Sequence, residues 1–186
     1  MKKITLSLTM ILAVALTVNV SAQERKSGIR AGYVMSNILP SAPGSISGFY
    51  AGFAHDNPIG NSKILYIHGG TEYTQAGYQI LDDTYRRLHY ISLPSGLKVK
   101  LGPVFVQGGF AFNFKVAEKY MVDGQDAKTD DNKYKVFNFP VHGSAGLMLG
   151  PVTIEARYNY GLSKLNKTLD PDSRLSYIQL GAGFAF

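Results

Sequence analysis

Cysteine is absent from the 186 residues. That excludes a disulfide framework and every metal site built on thiolates. Tryptophan is absent as well. After Val18 no apolar run approaches the roughly 20 residues that a membrane-spanning helix needs, and no helical periodicity stands out beyond that point. Neither sign of charge dominates. The net charge is +6, and Lys2 and Lys3 supply two of those charges. The remaining cations are interspersed with acids, which argues against nucleic acid as a partner. No phosphate-binding glycine loop, metal-ligand spacing or nucleotide fingerprint is present, so no metal and no cofactor is expected.

What is there begins with a leader. Lys2 and Lys3 precede a mostly apolar run from Ile4 to Val18, and Val20-Ser21-Ala22 places short side chains where a signal peptidase reads them. The expectation is a cleaved signal over residues 1–22, with the cut between Ala22 and Gln23, and one exported domain over 23–186.

The exported part is rich in Gly (20 in the whole chain) and in Tyr and Phe (12 and 10). It divides into eight segments of period-two alternation separated by turn residues, the pattern of an all-β chain. They lie near Gly28–Ser36, Ile46–His55, Ile64–Gly77, Arg87–Lys100, Pro103–Lys115, Lys135–Leu149, Val152–Ser163 and Arg174–Phe186. Even-numbered connections tend to be short: 101–102 and Gly150-Pro151 are very short, and 56–63 is of moderate length. Odd-numbered ones are long: about 37–45, 78–86, 116–134 and 164–173. Outer-membrane barrels have short periplasmic turns and longer external loops.

The two faces of the segments differ in charge. Ile91, Leu93, Leu97 and Val99 share a face, opposite Tyr90, Ser92, Lys98 and Lys100. Ile154, Ala156, Tyr158 and Tyr160 oppose Glu155, Arg157 and Asn159, and Ile29, Ala31, Tyr33 and Met35 oppose Arg30. Tyr66, His68, Glu72 and Thr74 form another polar face. A Lys or Arg facing lipid at the midplane costs roughly 2–4 kcal/mol, so the charged faces must point inward. A soluble ligand-binding barrel would show the reverse. In hydrocarbon only helices and closed barrels satisfy the backbone. The fold class expected is therefore all-β: an eight-stranded antiparallel up-and-down transmembrane β-barrel. Its polar bore is narrow enough for side chains to fill. Arg30, Glu72, Lys98, Asn138, Glu155 and Arg157 form the expected lumen network, with Arg30 and Arg157 pairing to Glu72 and Glu155.

The last residues run Gln179-Leu180-Gly181-Ala182-Gly183-Phe184-Ala185-Phe186. Gln179, Gly181, Phe184 and Phe186 resemble the signal read by the outer-membrane barrel assembly machinery, which captures a free strand by edge pairing. Leu88-His89-Tyr90-Ile91-Ser92-Leu93-Pro94, with Leu97-Lys98, resembles a strand of the porin-family outer-membrane β-barrels, the group that includes PorT-like proteins. Phe137-Asn138-Phe139, Gly146, Gly150-Pro151, Glu155-Ala156-Arg157-Tyr158-Asn159 and Gly161-Leu162-Ser163 resemble a hairpin of the same family, and Gly70-Thr71-Glu72-Tyr73 with Gly77 another of its strands. Ser92 and Asn138 stand where the family usually has acids, and Pro140 where it has Gly. The resemblance implies fold and location, and no reaction.

Other candidates carry less. His68 and Glu72 lie on one face about 13 Å apart at 3.3 Å per residue, and a cross-strand serine could complete a Ser–His–acid set. His142 and Ser144 offer another start. Asp123, Asp126, Asp130 and Asp131 share a loop with Lys119, Lys128 and Lys133, without the spacing of a calcium loop. Arg86, Arg87 and Lys164 are placed to meet lipopolysaccharide phosphates at the outer rim.

The function expected is a non-enzymatic integral barrel with a filled lumen, structural or adhesive or part of a secretion-type envelope complex. Its partners would be outer-membrane lipid and lipopolysaccharide, the assembly machinery during insertion, and other envelope proteins. The alternatives are a narrow porin-like channel, a lipid-modifying barrel enzyme and a soluble lipocalin-like binder.

Overall fold

The structure, a computed structural model, describes residues 27–39, 44–81, 84–122, 125–127, 136–164 and 174–186. The expected signal and its cleavage point at Ala22 and Gln23 lie outside them. So do Asp123, Asp130, Asp131, Lys128 and Lys133.

The described residues form ten strands: β1 (Ser27–Leu39), β2 (Ile46–Pro58), β3 (Leu65–Leu81), β4 (Thr84–Leu101), β5 (Val104–Val122), β6 (Gln125–Ala127), β7 (Phe137–Asn138), β8 (Pro140–Leu149), β9 (Val152–Lys164) and β10 (Arg174–Ala185). β7 and β8 continue one wall on either side of Phe139, both pairing with β5. β6 only folds back on the end of β5. The walls are therefore eight. Each pairs antiparallel with its neighbour in sequence, and β1 pairs with β10, which closes the ring. Closure leaves no free sheet edge across the bilayer.

Two turns are two residues long. Leu101 pairs with Val104 across Gly102-Pro103, and Leu149 pairs with Val152 across Gly150-Pro151. Gly102 and Gly150 have φ of 64° and 63°. A type II′ hairpin turn needs positive φ at its first central position, and the proline that follows fixes the second near −65°.

Two expected loops are partly strand. β3 and β4 continue through 78–81 and 84–86, and β5 runs on to Val122. These strands have 17, 18 and 19 residues, against the 9–11 that span a bilayer. The excess, six residues or more, is roughly 20 Å of strand, or about 15 Å of height past the membrane at the tilt of such barrels. Tyr78, Leu88 and Tyr90 on the inner face of this projection pack with Val34, Ile38, Leu175 and Tyr177. Burial of that cluster holds the three strands together where the sequence, dense in polar residues, reads as loop.

The alternation follows the barrel. Ile29, Phe53, Leu97, Val106, Ile154 and Leu180 are exposed on the outer wall. On the same wall Phe110, Phe112, Phe114, Phe137 and Phe139 form one aromatic cluster, with centroid separations from 5.2 to 6.5 Å.

Candidate functional site

The bore is filled in layers. Arg30 from β1, Glu72 from β3, and Glu155 and Arg157 from β9 meet at one level. The Arg157 Nη1 donates to both carboxylate oxygens of Glu72 at 3.2 and 3.3 Å. Its Nε and Nη2 donate to Glu155 Oε1 at 3.0 and 2.8 Å. Arg30 pairs with Glu72 and reaches Glu155 Oε2 at 3.4 Å. Two guanidiniums and two carboxylates thus form a neutral quartet. Arg157 and Glu72 are 3% and 2% exposed. Desolvated charges at such depth persist only when each is paired and hydrogen-bonded.

Glycines on the inner face make room for these long side chains. Gly52 stands beside Glu72 in register, and Gly181 beside Glu155. A Cβ on Gly181 would run into the Tyr50 hydroxyl. Gly181→Val is expected to cost about 1–3 kcal/mol through overpacking, read as a lower urea midpoint.

Lys98 does not join the quartet. It belongs to a second cluster toward the end of the barrel that holds the short turns. There Asp56 Oδ2 accepts from the Nζ of Lys98 at 3.0 Å and of Lys100 at 3.1 Å, and Asp56 Oδ1 meets His68 Nδ1 at 2.6 Å. The ammonium groups of Lys98 and Lys100 also lie over the rings of Phe105 and Tyr66, at 4.7 and 3.8 Å. Asp56 escapes a sequence reading that ends the second segment at His55. The signal was the continuing alternation Tyr50, Gly52, Ala54, Asp56, muted because two of its members are small. A cavity of about 70 Å³ lies among Ser27, Arg30, Tyr50, Asp56, His68 and Lys98.

Asn138 is inside but outside both clusters. It is buried, and neither of its side-chain polar atoms has a partner among the described residues. Above the quartet Asn113 donates to the Tyr177 hydroxyl at 3.0 Å, and Asn159 to Gln179 Oε1 at 3.0 Å.

The bore is not polar throughout, and here the structure corrects the sequence reading. Toward the far end the inner face becomes apolar: Val34, Leu88 and Leu175 are fully buried and Tyr90 is 1% exposed. This layer coincides with the strands leaving the bilayer. Outside the lipid, the sheet needs an ordinary apolar interior. Beyond it Glu118 pairs with Arg86 and, at 2.5 Å, with Lys115. Arg86 is therefore a bore residue, 7% exposed, and not part of the outer rim. Only Arg87 of the expected rim cations is shown on the outer wall; Lys164 ends β9.

No serine joins the histidines on the inner face among the described residues. His68 bonds Asp56, and His142 meets Gln107 at 3.2 Å. A Ser27–His55–Asn57 chain does exist on the outer face, with 2.8 and 3.0 Å separations. It contains no carboxylate to stabilise an imidazolium. Of the residues read as an assembly signal, Gln179 is buried in the bore, Gly181 lies against Tyr50, and Phe184 and Phe186 are exposed on the wall.

The family model described as "Outer membrane protein beta-barrel domain" matches residues 13–167. Among solved structures, Neisserial surface protein A is similar with a TM-score of 0.57 and 17% identity, over 86% of this chain and 97% of that one. The attachment invasion locus protein Ail of Yersinia pestis is similar with a TM-score of 0.50 and 21% identity, over 88% of this chain and 100% of that one. Identities this low establish a shared fold and nothing more. No curated protein matches the chain.

Proposed function

Because the chain belongs to the outer membrane protein β-barrel domain family and resides in the cell outer membrane, we propose that it is a closed, non-enzymatic barrel that works through its outer surface. The observation that carries this reading is the double closure of the bore. The Arg30–Glu72–Glu155–Arg157 quartet fills one level, and the apolar layer of Val34, Leu88, Tyr90 and Leu175 fills another. Water and ions would have to pass both. A charged layer sealed by paired hydrogen bonds and a dry layer above it each oppose conduction.

The material that then remains for function stands outside. Short turns lie in the periplasm and the longer connections outside, so the β3–β4–β5 projection stands on the external side. Paired strands of 17–19 residues offer a rigid platform for adhesion or for docking an envelope partner. The inner histidines support no hydrolytic arrangement, which favours the non-enzymatic reading.

The test is conductance. Purified barrel inserted into planar bilayers is expected to show no stepwise current and to permit no swelling of sugar-loaded liposomes. Steady single-channel steps would overturn the proposal in favour of a narrow pore. Loss of a lipid A acyl chain on expression would overturn it in favour of an enzyme.

A further inference from the structure

We propose that Arg87 and His89, on the outward wall of β4, form a binding site for a phosphate group of the phosphorylated glycolipid (lipid A) in the outer leaflet. The site is separate from the bore. The inference rests on the orientation given above and is independent of whether the bore conducts.

Height comes first. Ile91, Leu93 and Leu97 are exposed on the β4 outer face, and Leu101 ends the strand at the short turn. From Leu101 to Ile91 is about 33 Å of strand at 3.3 Å per residue. At a tilt of about 40° that is roughly 25 Å of height, the depth of the apolar band. His89 and Arg87 are the next two residues on that face. They stand where outer-leaflet headgroups lie.

Chemistry comes second. The Gln75 side-chain amide donates to the Tyr73 hydroxyl at 3.2 Å, and that hydroxyl lies 2.5 Å from His89 Nδ1. In the tautomer that leaves Nδ1 unprotonated, the tyrosine donates its proton there. A neutral His89 then carries its hydrogen on Nε2. His89 is 9% exposed, and its Nε2 has no partner among the described residues. A relay of two hydrogen bonds thus holds one N–H donor ready.

Arg87 supplies another. One of its terminal nitrogens donates to the Ser47 carbonyl at 3.2 Å, and its ring neighbour is Tyr85 at 5.6 Å. Its Nε is buried without a partner among the described residues. Lys119 stands directly across from Arg87 in the β4–β5 register and is exposed. The charges of Arg87 and Lys119 both reach the His89 ring. The patch therefore offers the unpartnered N–H groups of Arg87 and His89 together with positive charge. A phosphate monoester fits: it carries negative charge and several acceptor oxygens, and such bonds are about twice as strong as neutral ones.

The lipid is favoured over soluble phosphate by what lies below. Phe49, 50% exposed, packs on Tyr73 at 5.6 Å, and Ile91 lies next to it on the wall. Acyl chains attached to the bound headgroup would run down that apolar surface.

Native mass spectrometry of the full barrel tests the site, with three probes: bisphosphorylated lipid A, lipid A stripped of its phosphates, and inorganic phosphate. The wild type is expected to retain bisphosphorylated lipid A at least about tenfold better than the stripped form. The double variant Arg87→Gln/His89→Phe keeps the side-chain bulk and is expected to lose that preference, while Arg87→Lys recovers part of it. Lys63→Gln, on an exposed turn at the other end, should leave retention unchanged. Heat-modifiable gel mobility reports folding; if the double variant fails that check, Arg87→Gln alone is read instead. Equal retention of both lipids by the wild type, or undiminished retention by the folded variant, would overturn the site. Displacement of the lipid by millimolar inorganic phosphate would overturn the lipid as its ligand.

Discussion

Arg157→Met is expected to destabilise the barrel by about 3–5 kcal/mol. The guanidinium makes four hydrogen bonds, two to Glu72 and two to Glu155. Methionine matches much of the volume and provides none of them. Two carboxylates would then share Arg30 alone inside a bore from which water is largely excluded. The penalty is the unpaired buried charge, not the lost attraction. For that reason the double variant Arg157→Met/Glu155→Leu is expected to be more stable than Arg157→Met by about 0.5–3 kcal/mol, since the Arg30–Glu72 pair remains balanced. Arg157→Lys should not rescue, because an ammonium cannot fork between two carboxylates. Urea titration in lipid vesicles, followed by heat-modifiable gel mobility, gives all three midpoints. A wild-type midpoint for Arg157→Met would show that the quartet does not hold the walls.

The second large effect lies on the opposite face. Leu180 is 52% exposed on the outer wall, between buried Gln179 and Gly181. It pairs with Tyr33 and Ala156, and stands six residues along β10 from Phe186. That distance is about 15 Å of height, near the bilayer midplane. Leu180→Arg is expected to cost about 2–4 kcal/mol, whereas Leu101→Arg at the short turn should cost about 0–1 kcal/mol. Comparison of the two urea midpoints, together with the fraction of each variant reaching the outer membrane, checks the depth dependence. Equal costs would place Leu180 away from lipid and contradict the inside-out pattern on which the fold depends.

That pattern was legible because a strand reports its two faces separately. Arg30, Glu72, Glu155 and Arg157 each alternate with residues that cannot face water at such density, so the side bearing ions had to be the inside. The strand order followed from short connections: with turns as tight as Gly150-Pro151, successive strands have no choice but to pair. Arg86 was misread because its neighbourhood is polar and turn-like. Only the cluster around Tyr78, Leu88 and Tyr90 reveals that the sheet continues there. Asp56 was missed at a boundary placed three residues early, beside small residues that weaken the alternation.

Composition and period two by themselves determined the all-β class, the number of walls and the face that meets lipid, because those properties are set by each strand's own alternation. Partner choice among the buried charges needed the closed ring. Shear and tilt bring β1, β3 and β9 to one level across the bore and join Lys98 to Asp56 instead of Glu155. Such contacts cross between strands far apart in the chain, and no local pattern encodes the height at which two distant strands meet.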